Sequence, residues 1–182
     1  MPGLPGIRRD TGWTLVELLI GLSIAGLLLG LAMPYYGDWI AEYQLLNHAQ
    51  HLAGSMNTAR SEAVKRALHV NLCKAPDRRQ CADTGGWEDG FIVYVDSNRD
   101  GQIDTDEPVL RIDGPAPQGI TVRGNRPLDD YVSYTSMGSA RLLNGGLQMG
   151  TFTVCRSGQR AIDVVLANSG RVRIQKTGTA CP

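Results

Sequence analysis

The sequence has few of the groups from which an active site is built. Its 182 residues include only three histidines, His48, His51 and His69, and none has a matching metal or triad partner. The G-x-S-x-G pattern, the phosphate-binding P-loop and a Cys/His nucleophile pattern are all missing from the sequence. We therefore expect no enzymatic activity. A calcium-dependent enzyme is disfavoured because nothing supplies a nucleophile or a general base.

The chain also lacks a net charge. Eighteen Lys and Arg residues balance eighteen Asp and Glu residues, which gives a formal net charge of +0. This balance excludes a protein that binds nucleic acid through its bulk charge, so any basic site must be local. The sequence shows no internal repeat and no low-complexity linker. Its length allows one domain with an appendage.

A long apolar run over residues 13–34 contains a single charged residue, Glu17. A helix needs about 20 apolar residues to cross a bilayer, and this run is apolar on all faces, unlike a helix of a globular core. Arg8 and Arg9 precede the run, so the positive-inside rule places this end in the cytoplasm. An ordinary signal peptide is cut after its apolar core. Here the only suitable cleavage point, Gly12, lies before it.

The sequence after Pro34 predicts an amphipathic helix over residues 35–68 and then a β-rich head over residues 69–182. Apolar residues recur at helical steps at Leu45, Ala49, Leu52, Met56, Ala59, Ala63 and Ala67. Short β-like runs separated by Gly, Pro, Asn and Asp follow. They predict strands over residues 69–73, 91–96, 109–113, 120–123, 131–135, 152–155, 162–167 and 171–175, with a turn at residues 168–170.

All four cysteines, Cys73, Cys81, Cys155 and Cys181, follow the apolar run. They form one close pair and one pair that brackets the C-terminal region. An even number in an exported head suggests two disulfides, Cys73–Cys81 and Cys155–Cys181, although three pairings are formally possible. A zinc site is disfavoured because the C-x-x-C and H-x-x-x-H spacings are missing.

The segment from Gly12 to Ile20, GWTLVELLI, resembles the type III signal of type IV prepilins and type II secretion pseudopilins. The resemblance implies that a membrane prepilin peptidase cuts between Gly12 and Trp13 and methylates the new N-terminus. Trp13 departs from the Phe that is usual in the family. The resemblance also implies that Glu17 pairs with the N-terminal amine of a neighbouring subunit, and a carboxylate inside a membrane is usually functional. Pro34 matches the family's proline.

A second resemblance, to the FimT/GspH group of minor pilins and pseudopilins, covers the head. It rests on Trp87, Gly90, Phe91, Asp96, Gly101, Asp104, Glu107, the Val-Leu-Arg of residues 109–111, the Cys73 and Cys81 pair, and a late Gly170-Arg171 strand before Cys181. The group implies an α+β fold, in which a long protruding N-terminal α-helix packs on an antiparallel β-sheet head.

Residues 96–107 match the calcium-binding loop pattern D-x-[DN]-x-[DN]-G-x5-E. The ligands in that pattern would be Asp96, Asn98, Asp100, Asp104 and Glu107, with Gly101 at the sharp turn. The segments on both sides read as strands, whereas an EF-hand has helices there. The alternative is an acidic hairpin loop that uses Asp, Asn and Gly for its turns.

A local basic site is predicted near the C-terminus. Arg156, Arg160, Arg171, Arg173 and Lys176 lie after residue 150, where Asp163 is the only acidic residue. Arg171 and Arg173 are two apart on a predicted strand, so they share a face about 6.6 Å apart. A G-R-x-R element in this place resembles the DNA-binding site of competence-associated minor pilins. The alternative is a solvated strand face.

The favoured function is a minor pilin of a type IV pilus that acts in pilus biogenesis and binds double-stranded DNA for natural transformation. The alternative is a type II secretion pseudopilin that acts in protein export. Either protein would be a single-pass inner-membrane protein with a periplasmic head, incorporated into a pilus or pseudopilus. Its expected partners are the prepilin peptidase, other pilin or pseudopilin subunits and the membrane. No cofactor is expected, apart from Ca²⁺ if the acidic loop binds it.

Overall fold

The computed structural model describes the backbone of residues 14–181 and the side chains in that range except those of residues 31–35. The predicted leader, its cleavage point between Gly12 and Trp13, and the side chain of Pro34 lie outside these described residues. The chain divides into two compact units, Met1–Trp39 and Ile40–Pro182. One helix, α1 (Leu15–Arg66), contributes residues to both units.

The N-terminal end of α1 is closed by a reciprocal pair of hydrogen bonds. The backbone N–H of Glu17 donates to Oγ1 of Thr14 over 3.3 Å, and the backbone N–H of Thr14 donates to Oε2 of Glu17 over 2.9 Å. This capping box satisfies two backbone donors that would otherwise have no partner in the helix. Glu17 therefore has a local role at the start of the helix.

Among the described residues, no helix is both long and apolar enough to span a membrane.

In the second unit, α1 has the predicted amphipathic pattern. The apolar residues that it buries at 0–1% exposure are Leu45, Ala49, Leu52, Met56, Ala59 and Ala63. The helix α1 ends at Arg66, two residues before the predicted boundary at residue 68. Ala67 has φ +55°, and the N–H groups of Ala67 and Leu68 donate to the carbonyls of Val64 and Ala63, each over 3.3 Å. This pair of bonds is a Schellman motif, which ends a helix with one left-handed residue.

The eight predicted strands are all found in the second unit. They are β1 (His69–Lys74), β2 (Phe91–Asp96), β3 (Val109–Asp113), β4 (Ile120–Gly124), β5 (Tyr131–Tyr134), β6 (Gly150–Arg156), β7 (Arg160–Leu166) and β8 (Val172–Ala180). They form two antiparallel four-stranded sheets, with strand orders β3-β2-β1-β5 and β4-β6-β7-β8. The last strand begins and ends later than predicted.

One hydrophobic core joins the buried face of α1 to the inner faces of both sheets. Trp87, in a short 3₁₀ turn before β2, sits in this core with the edge of its ring against Phe152 at a centroid distance of 5.0 Å. Its indole N–H donates to the carbonyls of Leu128 and Asp129, so its only polar atom is satisfied. The predicted fold class is confirmed: a long N-terminal helix packs on antiparallel sheets.

Candidate functional site

The turn between β7 and β8 requires glycine at residue 170. Gly170 has φ +78° and is buried, and a Cβ at this position would collide with the carbonyl oxygen of Gly138. Arg60 of α1 contacts this turn through two hydrogen bonds. Its Nε donates to the Gly138 carbonyl over 2.8 Å, and its Nη2 donates to the Ser169 carbonyl over 3.1 Å. The geometry of this turn therefore explains the glycine of the G-R-x-R element without any role in DNA binding.

Arg171 and Arg173 lie on the outer face of the second sheet. In the register of β7 and β8, Val172 faces the buried Leu166 and Ile174 faces the buried Val164, so the intervening residues point away from the core. Both arginines are exposed. Neither side chain has a hydrogen bond or ion pair with any residue that the structure describes. The two arginines therefore stand without a partner among the described residues on the same side of this hairpin, with Arg171 one residue before β8 begins.

The three other predicted basic residues do not join this pair. Lys176 lies on the opposite face of β8, where its Nζ contacts Oε1 of Glu42 on α1 at 2.6 Å. Arg156 of β6 donates to Oε1 of Gln44, also on α1, over 2.5 Å. Arg160 pairs with Ala180 beyond a bulge in β7, about 17 Å along the strand from the residue opposite Arg173. Of the five predicted basic residues, the structure therefore brings only Arg171 and Arg173 together.

Another basic residue shares the outer face and was not predicted. Arg123 of β4 is exposed and stands in a cross-strand row with Thr153, Asp163 and Gln175. It forms an ion pair with Glu88, and three strand spacings, about 14 Å, separate β4 from β8. The alternation of buried and exposed residues along β4 could have placed it on this face. Its pairing with Glu88 makes it a weaker anion ligand than Arg171 or Arg173.

Both disulfides have the predicted connectivity. Cys73–Cys81 joins β1 to the segment that follows it, with Cα atoms 5.4 Å apart. Cys155–Cys181 fastens the end of β8 to β6 on the outer face, with Cα atoms 5.5 Å apart. The second bond holds the C-terminal end of the strand that carries Arg173. Among the described residues no cysteine is free.

The acidic loop connects two strands, β2 and β3, as the sequence predicted. Asp96 is fully buried, and its Oδ2 accepts hydrogen bonds from the backbone of Gly101 over 3.2 Å and from Nδ2 of Asn71 over 2.5 Å. Burial raises the pKa of Asp96 above its ordinary range. Glu107 is also buried and accepts from the backbone of Ser97 over 2.6 Å. In the part of the chain that the structure describes, no three His, Cys, Asp or Glu side chains converge as a ready metal site.

The family described as Type II transport protein GspH matches residues 48–170, which is more than half of the chain. The chain belongs to the GspH family. The predicted membership of the GspH/FimT group of type IV minor pilins and pseudopilins is thereby confirmed.

Two individual relatives are consistent with membership of the GspH family. A fimbrial protein of Pseudomonas aeruginosa is 25% identical over 130 residues, 68% of this chain and 83% of that protein. The pilin-like protein PilA1 of Thermus thermophilus is 35% identical over 96 residues, 53% of this chain and 54% of that protein. Both names describe pilus-type proteins.

Two solved structures share the fold. The type IV minor pilin FimU of Pseudomonas aeruginosa aligns with a TM-score of 0.59 at 19% identity, over 76% of this chain and 96% of FimU. The minor pseudopilin EpsH from the Type 2 Secretion System of Vibrio cholerae aligns with a TM-score of 0.50 at 13% identity, over 75% of this chain and 99% of EpsH. At these identities the alignments show the fold alone.

Some of the candidate sites lie within the residues that the family matches, and others lie outside them. The match ends at Gly170, so Arg171, Arg173 and Lys176 lie outside it, as do Gly12, Trp13 and Glu17 at the other end. The acidic loop, Arg156 and Arg160 lie inside it. Membership of the GspH family therefore does not test the predicted DNA-binding pair or the predicted processing site.

Proposed function

We propose that this GspH-family protein is a minor pilin of a type IV pilus, which acts in pilus biogenesis and binds double-stranded DNA for natural transformation through Arg171 and Arg173. The observation that supports DNA binding is the placement of these two exposed side chains on one outer face, without a partner among the described residues. A structural arginine would be expected to hold a neighbouring group, as Arg60 holds the carbonyls of Gly138 and Ser169.

The chemistry of the pair suits phosphate. Guanidinium groups make bidentate hydrogen bonds with phosphate, and residues two apart on a strand are about 6.6 Å apart. Phosphate contacts carry no base information, so binding should be independent of sequence. Each neutralised phosphate contributes about −0.9 to the slope of log K against log salt, so two contacts give a slope of about −1.8. One head should bind in the non-specific range of about 10⁻⁴–10⁻⁶ M.

The test uses two double variants with the same change in charge. Arg171→Ala with Arg173→Ala should abolish the binding of duplex DNA and remove its salt dependence. Arg160→Ala with Lys176→Ala removes two positive charges elsewhere on the same sheet and should leave most of the binding intact. Fluorescence anisotropy at several salt concentrations gives the slope, and circular dichroism checks the fold. Equal loss in the two variants would show diffuse attraction and not a site.

Membrane anchoring and processing are part of the same proposal. The apolar run over residues 13–34 would hold the protein in the inner membrane with its head in the periplasm, after prepilin peptidase has cut between Gly12 and Trp13. Glu17 would then pair with the N-terminal amine of a neighbouring pilin subunit. Two separate parts of the chain support this proposal: the motif of residues 12–20 and the match of residues 48–170 to the GspH family.

The second candidate is a type II secretion pseudopilin that acts in protein export. The description of the matching family and the shared fold with EpsH favour it. Deletion of the gene distinguishes the two candidates: loss of surface pili and of DNA uptake supports the first, and loss of protein secretion with normal pili supports the second.

A further inference from the structure

The loop between β2 and β3, residues 96–107, begins at a carboxylate that its surroundings leave half satisfied. Asp96 is 0% exposed, and its Oδ1 has no hydrogen-bond partner among the described residues. Oδ1 of Asn71, whose amide nitrogen contacts Asp96, is buried and unpartnered as well. Unpaired buried oxygens of this kind are costly, so they usually have a ligand, an ion or an ordered water.

The free oxygen of Asp96 belongs to a carboxylate that is turned into the loop. Its other oxygen, Oδ2, accepts the backbone N–H of Gly101 in the middle of the loop over 3.2 Å. No ion pair links Asp96 to a Lys, Arg or His within the described part of the chain. A buried carboxylate without a cationic partner is unfavourable, and a cation in the loop would supply that partner.

Further along the loop, two carboxylates hold a partly positive group between them. Nδ2 of Asn98 lies 3.1 Å from Oδ2 of Asp100 and 2.9 Å from Oδ2 of Asp104. The amide hydrogens of Asn98 thus occupy a place where negative oxygens already meet. A metal ion in that place would gain more from the two carboxylates than the amide does, because its charge is larger.

We propose that this loop binds one divalent cation of the size of Ca²⁺, with oxygen ligands from Asp96, Asn98, Asp100 and Asp104. Flexible loops of carboxylate and amide oxygens suit Ca²⁺, whereas Mg²⁺ demands a stricter octahedral geometry. Glu107 is not a ligand in this arrangement. Its Oε1 accepts from the backbone and hydroxyl of Ser97 over 2.6 and 2.9 Å, so it closes the base of the loop as a positioning residue.

The affinity should be modest. Because no three acidic side chains converge before the ion arrives, binding must displace the Asn98 amide and order the carboxylates around the ion. Such a site belongs with the extracellular calcium modules, whose Kd values are about 10⁻⁴–10⁻³ M. At a Ca²⁺ concentration of about 10 mM the ligand-bound state should raise the Tm by about 3–10 °C.

The test is a calorimetric titration of the full chain in detergent with CaCl₂, together with thermal melts in CaCl₂, MgCl₂ and EDTA. We expect one site per chain, a rise in Tm with Ca²⁺, and a smaller rise with Mg²⁺. Asp100→Asn should weaken Ca²⁺ binding about tenfold or more, because it removes one charged ligand. Asp106→Asn is the matched control, since it removes the same charge from an exposed residue of the same loop that is not a proposed ligand.

Two results would overturn the proposal. If CaCl₂ produces neither binding heat nor a change in Tm in the wild-type chain, the loop holds no Ca²⁺ site. If Asp106→Asn weakens binding as much as Asp100→Asn does, the loop attracts cations diffusely and holds no site. Both variants change exposed side chains, and circular dichroism is used to check that each is folded.

Discussion

Replacing Gly170 by alanine should destabilise the head more than a left-handed backbone alone would explain. An L-residue in the left-handed region costs about 1–2 kcal/mol. In addition, the new Cβ would collide with the Gly138 carbonyl, which is the acceptor for Nε of Arg60 at 2.8 Å. Losing a hydrogen bond to a charged group adds about 1.5–3 kcal/mol. The expected loss in the free energy of unfolding is therefore about 2.5–5 kcal/mol.

Gly158 provides the matched control. It has φ +80°, close to the +78° of Gly170, but a Cβ there would meet no atom within 4 Å. Gly158→Ala should cost only the backbone term of about 1–2 kcal/mol. Urea unfolding of both variants, monitored by circular dichroism, gives the difference. If the two variants lose the same free energy, the close approach of the turn to Gly138 does not explain the glycine.

Three further predictions follow from the processing motif, the disulfides and the histidines. Mass spectrometry of the membrane-extracted protein should show a chain that starts at N-methylated Trp13, and a bulky residue at Gly12 should block processing; an intact Met1 in peptidase-positive cells would contradict this. Removing Cys155–Cys181, with a sequence separation of 26, should cost about 3.5 kcal/mol, and removing Cys73–Cys81, with a separation of 8, about 2.5 kcal/mol; equal costs would argue against an effect of loop length. Burial lowers the pKa of His48 in the folded state. The unfolded chain therefore binds more protons below about pH 6.5, and stability should fall as the pH drops through that range. His48→Gln should flatten this dependence, and an unchanged profile would exclude His48 as its source.

Much of the head could be predicted because its signals are local. Alternating apolar residues and Gly-, Asn- and Asp-rich turns predict every strand, and the grouping of the four cysteines suggests the two disulfides that form while leaving three pairings formally possible. The end of α1 was missed by two residues because Ala67 adopts a left-handed conformation that usually belongs to glycine. Thr14 and Glu17 have the S/T-x-x-E spacing of a capping box, so the start of α1 was also predictable from local sequence.

The grouping of the basic residues could not be predicted, because it depends on contacts between distant parts of the chain. On the side of the sheet that faces α1, Lys176 donates a hydrogen bond to Glu42 across a sequence separation of 134 residues. Arg156 donates one to Gln44 across a separation of 112 residues. Arg160 lies at the end of β7 that is remote from Val165, the residue opposite Arg173. In the sequence these five residues are equivalent, whereas in the fold two of them have partners on α1 and Arg160 lies apart, so only Arg171 and Arg173 stand together without a partner among the described residues.

Two phosphate contacts limit what a single head could do for DNA uptake. At a Kd of about 10⁻⁴ M one head would hold DNA only briefly, but linked heads bind the same duplex with an effective concentration of about 10⁻³ M. Each additional head would then strengthen binding about tenfold, since the gain is the ratio of these two values. Because Lys176 and Arg156 are engaged by α1 on the inner side of the sheet, their charges would not compensate for a missing copy. Under the proposed function, capture of DNA would therefore depend on how many outer faces the filament presents together. The affinity measured for an isolated head would then be lower than the affinity of the filament.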